Sequence, residues 1–141
     1  HVACLYFKEF RPPKQEKAEN VYILMRETIE SEHEESLQTG VCRGIMEEFG
    51  AKGTIRAHLG SLKSIYVKEG VSVEKTTIYF LVELSAYDIS KRAMGEEEKD
   101  SIIEWRSVDY LIEKMEEQGK RLVGKSFDES EILKRAKKFL F

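Results

Sequence analysis

The chain has 141 residues, of which 41% are hydrophobic and 35% charged, with a formal net charge of −3 at pH 7. This length suits one domain over residues 1–141 built on a single core, and the composition is that of an ordinary globular chain. The slight acidity excludes an overall basic field for nucleic acid, no apolar run is long enough to cross a membrane, and no secretory signal pattern opens the sequence.

In chain order, Val2–Phe7 is apolar throughout and reads as a buried strand. Arg11–Asn20 reads as a loop, opened by Pro12 and Pro13 and continued by charged residues. Val21–Met25 reads as a second strand, followed by the acidic stretch Glu27–Glu35. Cys4 and Cys42 fall on elements expected to be buried, which suits reduced core thiols and a cytoplasmic setting. His1, His33 and His58 are scattered and give no zinc spacing with the cysteines.

The central stretch is Glu35–Gly50, a loop turning into a helix. Leu37, Val41, Ile45 and Phe49 recur at four-residue steps and predict a core-facing stripe. Arg43, Gly44, Glu47 and Glu48 are predicted to share another face, and Gly50 stands where a helix ends in a left-handed residue. Two neighbouring carboxylates are the hard oxygen donors that Mg²⁺ favours, and Arg43, one turn before Glu47, can pair with it or reach a phosphate. The ordinary alternative for such a pair is a solvated helix face.

Beyond the helix, Ala51–Gly53 reads as a turn, and Thr54–Leu59 and Ser64–Lys68 as strand pieces interrupted near Gly60. Lys68-Glu69-Gly70 reads as a hairpin turn. Thr76–Leu84 is the strongest strand signal and suits a central strand covered on both faces. Asp88–Asp100 is polar and holds Glu96, Glu97 and Glu98. Ile102–Trp105 reads as a short strand. Ser107 then reads as a helix N-cap, with Val108, Leu111, Ile112 and Met115 as the buried stripe. Gly119–Gly124 reads as a connector. Asp128–Leu140 reads as a last helix, with acids at its start and Lys134, Arg135, Lys137 and Lys138 toward its end, as the helix dipole favours.

The central stretch resembles the signature of the Nudix hydrolases. That signature places a glutamate, seven intervening residues and an arginine, then continues Glu-apolar-any-Glu-Glu-any-Gly-apolar. Here Glu35, Arg43, Ile45, Glu47, Glu48, Gly50 and Ala51 occupy those positions in register. Leu24–Glu30 resembles the run that usually precedes it, and Thr76–Leu84 and Ile102–Trp105 resemble strands that follow it. Two positions depart: Ile29 stands where the signature has its first glycine, and Gly44 where it has the glutamate after the arginine.

The resemblance implies an α/β (α+β) fold, a three-layer α/β/α sandwich with a mixed central sheet. It implies a hydrolase of a nucleoside diphosphate linked to another moiety, using Mg²⁺ or Mn²⁺ held by Glu47 and Glu48 and oriented by Arg43. Gly44 can neither bind metal nor act as base. The proton acceptor is therefore expected from the later acidic run, Glu98 with Glu96 and Glu97 beside it. Glu30 and Glu35 are further candidates, with Glu35 expected to brace the loop against Arg43. The alternative is a catalytically impaired Nudix-like domain that binds a nucleotide or a protein partner. The strands and the apolar Leu140-Phe141 end would also suit a homodimer.

Overall fold

A computed structural model of the chain describes residues 1–10, 17–26, 36–92, 100–122 and 128–140. Its strands are β1 (Val2–Phe10), β2 (Ala18–Ile23), β3 (Ala51–Lys68), β4 (Val71–Tyr87) and β5 (Ser101–Arg106), and its helices are α1 (Leu37–Phe49), α2 (Val108–Arg121) and α3 (Ser130–Lys137). The described strands form two antiparallel sheets, one ordered β2-β1-β5 and one made of β3 and β4. The fold is α+β. The mixed central sheet expected from the sequence is not present among these strands, because every pairing is antiparallel.

β1 is the spine of the first sheet. Its alternating side chains point to opposite faces, as strand geometry dictates. Leu5 and Phe7 join Val21, Ile23, Ile45, Phe49 and Ala51 in one core cluster, on the side taken by α1. Cys4 joins Tyr22, Leu111, Met115 and Leu133 in a second cluster, on the side taken by α2 and α3. A continuously apolar strand is therefore explained by cover on both faces.

β3 and β4 form one long hairpin. Its turn holds Glu69 and Gly70 at φ 54° and 78°, with Lys68 opposite Val71. A two-residue loop with both residues at positive φ matches the right-handed twist of its strands. β3 runs on through Gly60 instead of breaking there. The register shifts near Gly60, whose φ is 100°, and the Arg135 guanidinium takes the place a side chain would fill and donates to the Leu59 carbonyl at 3.0 Å. Ala51–Gly53, expected as a turn, is the start of β3. Gly53 follows another register shift, and a Cβ there would lie 2.6 Å from Val82 Cγ1.

In β4, Val82 and Leu84 pack toward the α1-side cluster, while Tyr79 and Leu81 pack with Leu59, Ile132 and Ala136. Cover of the segment Thr76–Leu84 is partial, with Tyr79 buried and Ile78 40% exposed, and β4 pairs only with β3 among the described strands, so it is not the central strand expected. Beyond it the hairpin leaves the body, and Ile65, Val67 and Val71 are exposed.

Helix ends follow local chemistry. Ser107 caps α2 by accepting from the Tyr110 N–H at 3.2 Å, and Leu111 and Met115 are wholly buried. α2 continues through Gly119, expected in the connector, to Arg121. A Cβ at Gly119 would lie 2.7 Å from Asp128 Cβ, so the missing side chain admits the approach to α3. The bases of α3 are tied to neighbours: Lys134 to Glu116 at 3.1 Å and Lys137 to Asp109 at 2.6 Å. These bonds tie α3 to α2. No helix among the described residues is long and apolar enough to cross a membrane.

Candidate functional site

α1 begins at Ser36, whose Oγ accepts the Thr39 N–H at 3.1 Å. It ends at Gly50, φ 64° and ψ 34°, whose N–H bonds back to the Ile45 and Met46 carbonyls. Only glycine suits this left-handed stop without strain, and a Cβ at Gly50 would run into the Asp88 carbonyl oxygen. The Asp88 N–H in turn donates to the Gly50 carbonyl at 2.9 Å, fastening the end of α1 to the end of β4.

The expected stripe of α1 faces the core at Ile45 and Phe49, with Val41 packed against the same cluster, whereas Leu37 is 41% exposed. Gly40, Gly44 and Glu48 of α1 are buried as well. Leu37 occupies the first turn, and the two glycines let the backbone itself turn inward. Cys42, expected to be buried, is exposed, while Cys4 is buried; neither thiol forms a disulfide.

Helix geometry separates the predicted carboxylate pair. Successive helix residues differ by about 100° around the axis. Glu47 lies on the rim, its side chain 45% exposed, and accepts from Arg43 Nη1 at 3.3 Å. Glu48 turns inward and is 6% exposed. Gly44 lies on the inner arc with Glu48 rather than on an open face with Arg43 and Glu47. The structure therefore brings Arg43 and Glu47 together as expected and places Glu48 beside them on the buried edge.

Glu30, Glu35, Glu96, Glu97 and Glu98 lie outside the described residues. Among the described residues, no three His, Cys, Asp or Glu side chains converge as a metal site. Glu47 and Glu48 offer oxygen donors only, a set whose chemistry fits a hard cation such as Mg²⁺.

A second polar constellation was not foreseen in the sequence. Glu129 precedes α3 and is 2% exposed. Its carboxylate accepts the Leu24 N–H at 3.0 Å, Arg26 Nε at 3.3 Å and Nη2 at 3.2 Å, and the Tyr79 hydroxyl. Burial pushes the Tyr79 phenol up, and the neighbouring carboxylate adds to the rise. Burial opposes the Arg26 charge, but Glu129 more than offsets it and raises the guanidinium further. The cluster fixes the chain just after β2. Tyr79 is thus a core residue with a buried hydrogen bond.

No protein-family model matches the chain, and no curated protein sequence matches it.

Proposed function

We propose that the chain is a metal-dependent diphosphate hydrolase of the Nudix type, acting on a nucleoside diphosphate linked to another moiety. One observation carries this reading. The last turns of α1 hold the Arg43–Glu47 pair on a partly open rim, Glu48 beside it and a left-handed Gly50 as terminator, in the register of the signature. Support for a three-layer α/β/α arrangement comes from the first sheet, which has α1 against one face and α2 and α3 against the other.

In this proposal Glu47 and Glu48 hold Mg²⁺ or Mn²⁺. Such an ion, when bound, neutralises phosphate charge and acidifies water. Arg43 limits the rotamers of Glu47 and supplies positive charge at the rim. Glu48 keeps its position because it is packed. The proton from the attacking water is assigned to Glu98, with Glu96 and Glu97 beside it, on sequence grounds alone. The substrate is a small phosphorylated molecule, and a cytoplasmic setting belongs to the same proposal.

Burial of Gly44 favours a second reading, a catalytically impaired domain that binds a nucleotide or a protein partner. The test is hydrolysis of a panel of nucleoside diphosphate derivatives with Mg²⁺ or Mn²⁺. Turnover that falls by about a hundredfold or more in Glu47→Gln and Glu48→Gln supports the hydrolase, since lost electrostatic stabilisation costs this much. No turnover across the panel, with metal-independent nucleotide binding, overturns it in favour of the second reading.

A further inference from the structure

We infer that Tyr87 and Trp105 form a seat for the nucleobase of the substrate; this rests on the diphosphate-hydrolase reading of the site beside them. Their rings meet edge to face, with centroids 5.9 Å apart and planes at 87°. They come from β4 and β5, strands of different sheets, so the tertiary fold brings them together. Other aromatics, including Phe7, Tyr22, Phe49 and Tyr79, are buried, whereas Tyr87 is 44% and Trp105 42% exposed. Two large rings held in contact yet open to solvent form a surface that a flat ligand can cover.

Their place relative to α1 gives the pair its meaning. Tyr87 is the register partner of Ala51, which follows Gly50 at the end of α1. The Asp88 N–H bonds to the Gly50 carbonyl, so Tyr87 is fastened beside the end of α1 that carries Glu47 and Glu48. Trp105 is the register partner of Ala3, and Ala3 packs against the cluster containing Ile45 and Phe49. Both rings therefore belong to the α1 side of the molecule. A ribose and two phosphates can bridge from a base at these rings to the carboxylates.

The perpendicular planes make an L-shaped corner, where a base can lie on one ring and present its edge to the other. Stacking of this kind tolerates any base, because every base has a π face. The seat thus predicts a preference for nucleoside over non-nucleoside diphosphates, with weak discrimination among bases.

Trp105 is the chain's only tryptophan, so its fluorescence reports directly on the seat. The experiment titrates the whole chain with ADP and with inorganic pyrophosphate, each with Mg²⁺. The expected result is a saturable change with ADP and none with pyrophosphate. Tyr87→Ala should weaken ADP binding about tenfold, and Trp105→Ala should raise the KM of any nucleoside diphosphate substrate about as much, the usual scale for a lost stacking partner. Trp105→Phe, which keeps a ring in place, should restore most of the affinity. Fluorescence that responds equally to both ligands, or to neither, overturns the seat, as does unchanged ADP affinity in a natively folded Tyr87→Ala protein. The two readings fail separately. ADP binding that depends on Tyr87 in a chain without turnover keeps the seat and removes the hydrolase. Turnover lost in Glu47→Gln but indifferent to Tyr87 and Trp105 does the reverse.

Discussion

Glu129 is the centre of a buried polar cluster. Its carboxylate gathers donors from the segment after β2 and from β4 while almost wholly buried. Glu129→Leu should destabilise the fold by about 3 kcal/mol, because it leaves Arg26 without its carboxylate in a poorly hydrated place. Urea denaturation measures the change. Cys4 makes a second residue-level prediction. Burial, with help from Glu104, pushes its thiol from the ordinary 9.0 up to about 12. The unfolded thiol then ionises first. Its contribution is fully present below pH 9 and is lost as pH rises from about 9 to 12. Cys4→Ala should flatten the alkaline fall in stability, read from denaturation midpoints against pH. The Tyr22 and Tyr79 phenols, raised mainly by burial, act with the same sign. The sequence showed Cys4 as a core residue, since its neighbours are apolar throughout. It could not show Glu129, whose partners lie 50 to 105 positions away and whose own segment reads as a charged helix start.

For the elements, capping and turn chemistry were the legible features, because they are short-range. Ser107, Gly50 and the Glu69-Gly70 turn each form as their residue types dictate, while the Ser36 cap was not read from the sequence. Ser36→Ala should cost about 1 kcal/mol by removing the bond to Thr39 N–H, and circular dichroism during thermal unfolding will register it. The core stripe of α1 was legible at Val41, Ile45 and Phe49, but not the burial of Gly40, Gly44 and Glu48 beside it. Spacing marks the apolar stripe, and only contact with the rest of the fold chooses how far the buried face extends. That choice decides which carboxylate is open, so the candidate site was readable as residue types and not as geometry. Strand direction was hidden for a related reason. Local pattern marks a strand as buried but says nothing of its partner.

At the scale of the whole molecule, α3 is the joint. Leu133 belongs to the cluster beneath the first sheet, while Ile132 and Ala136 pack with Leu59 and Tyr79 of the hairpin. Leu133→Ala and Ile132→Ala should each cost roughly 2–5 kcal/mol, measured by urea denaturation. If Mg²⁺ binds as proposed, the thermal midpoint should rise with its concentration and cease to do so in the Glu47→Gln/Glu48→Gln double variant. The pairing of β1 with both β2 and β5 has a consequence for biosynthesis. β1 meets β2 across a short stretch of chain, but Cys4 lies opposite Glu104. On the ribosome, one edge of β1 must wait uncovered until about a hundred further residues have been translated. During that interval the nascent chain offers unsatisfied backbone amides to any neighbouring strand, and the translation speed of the intervening segment sets how long the exposure lasts.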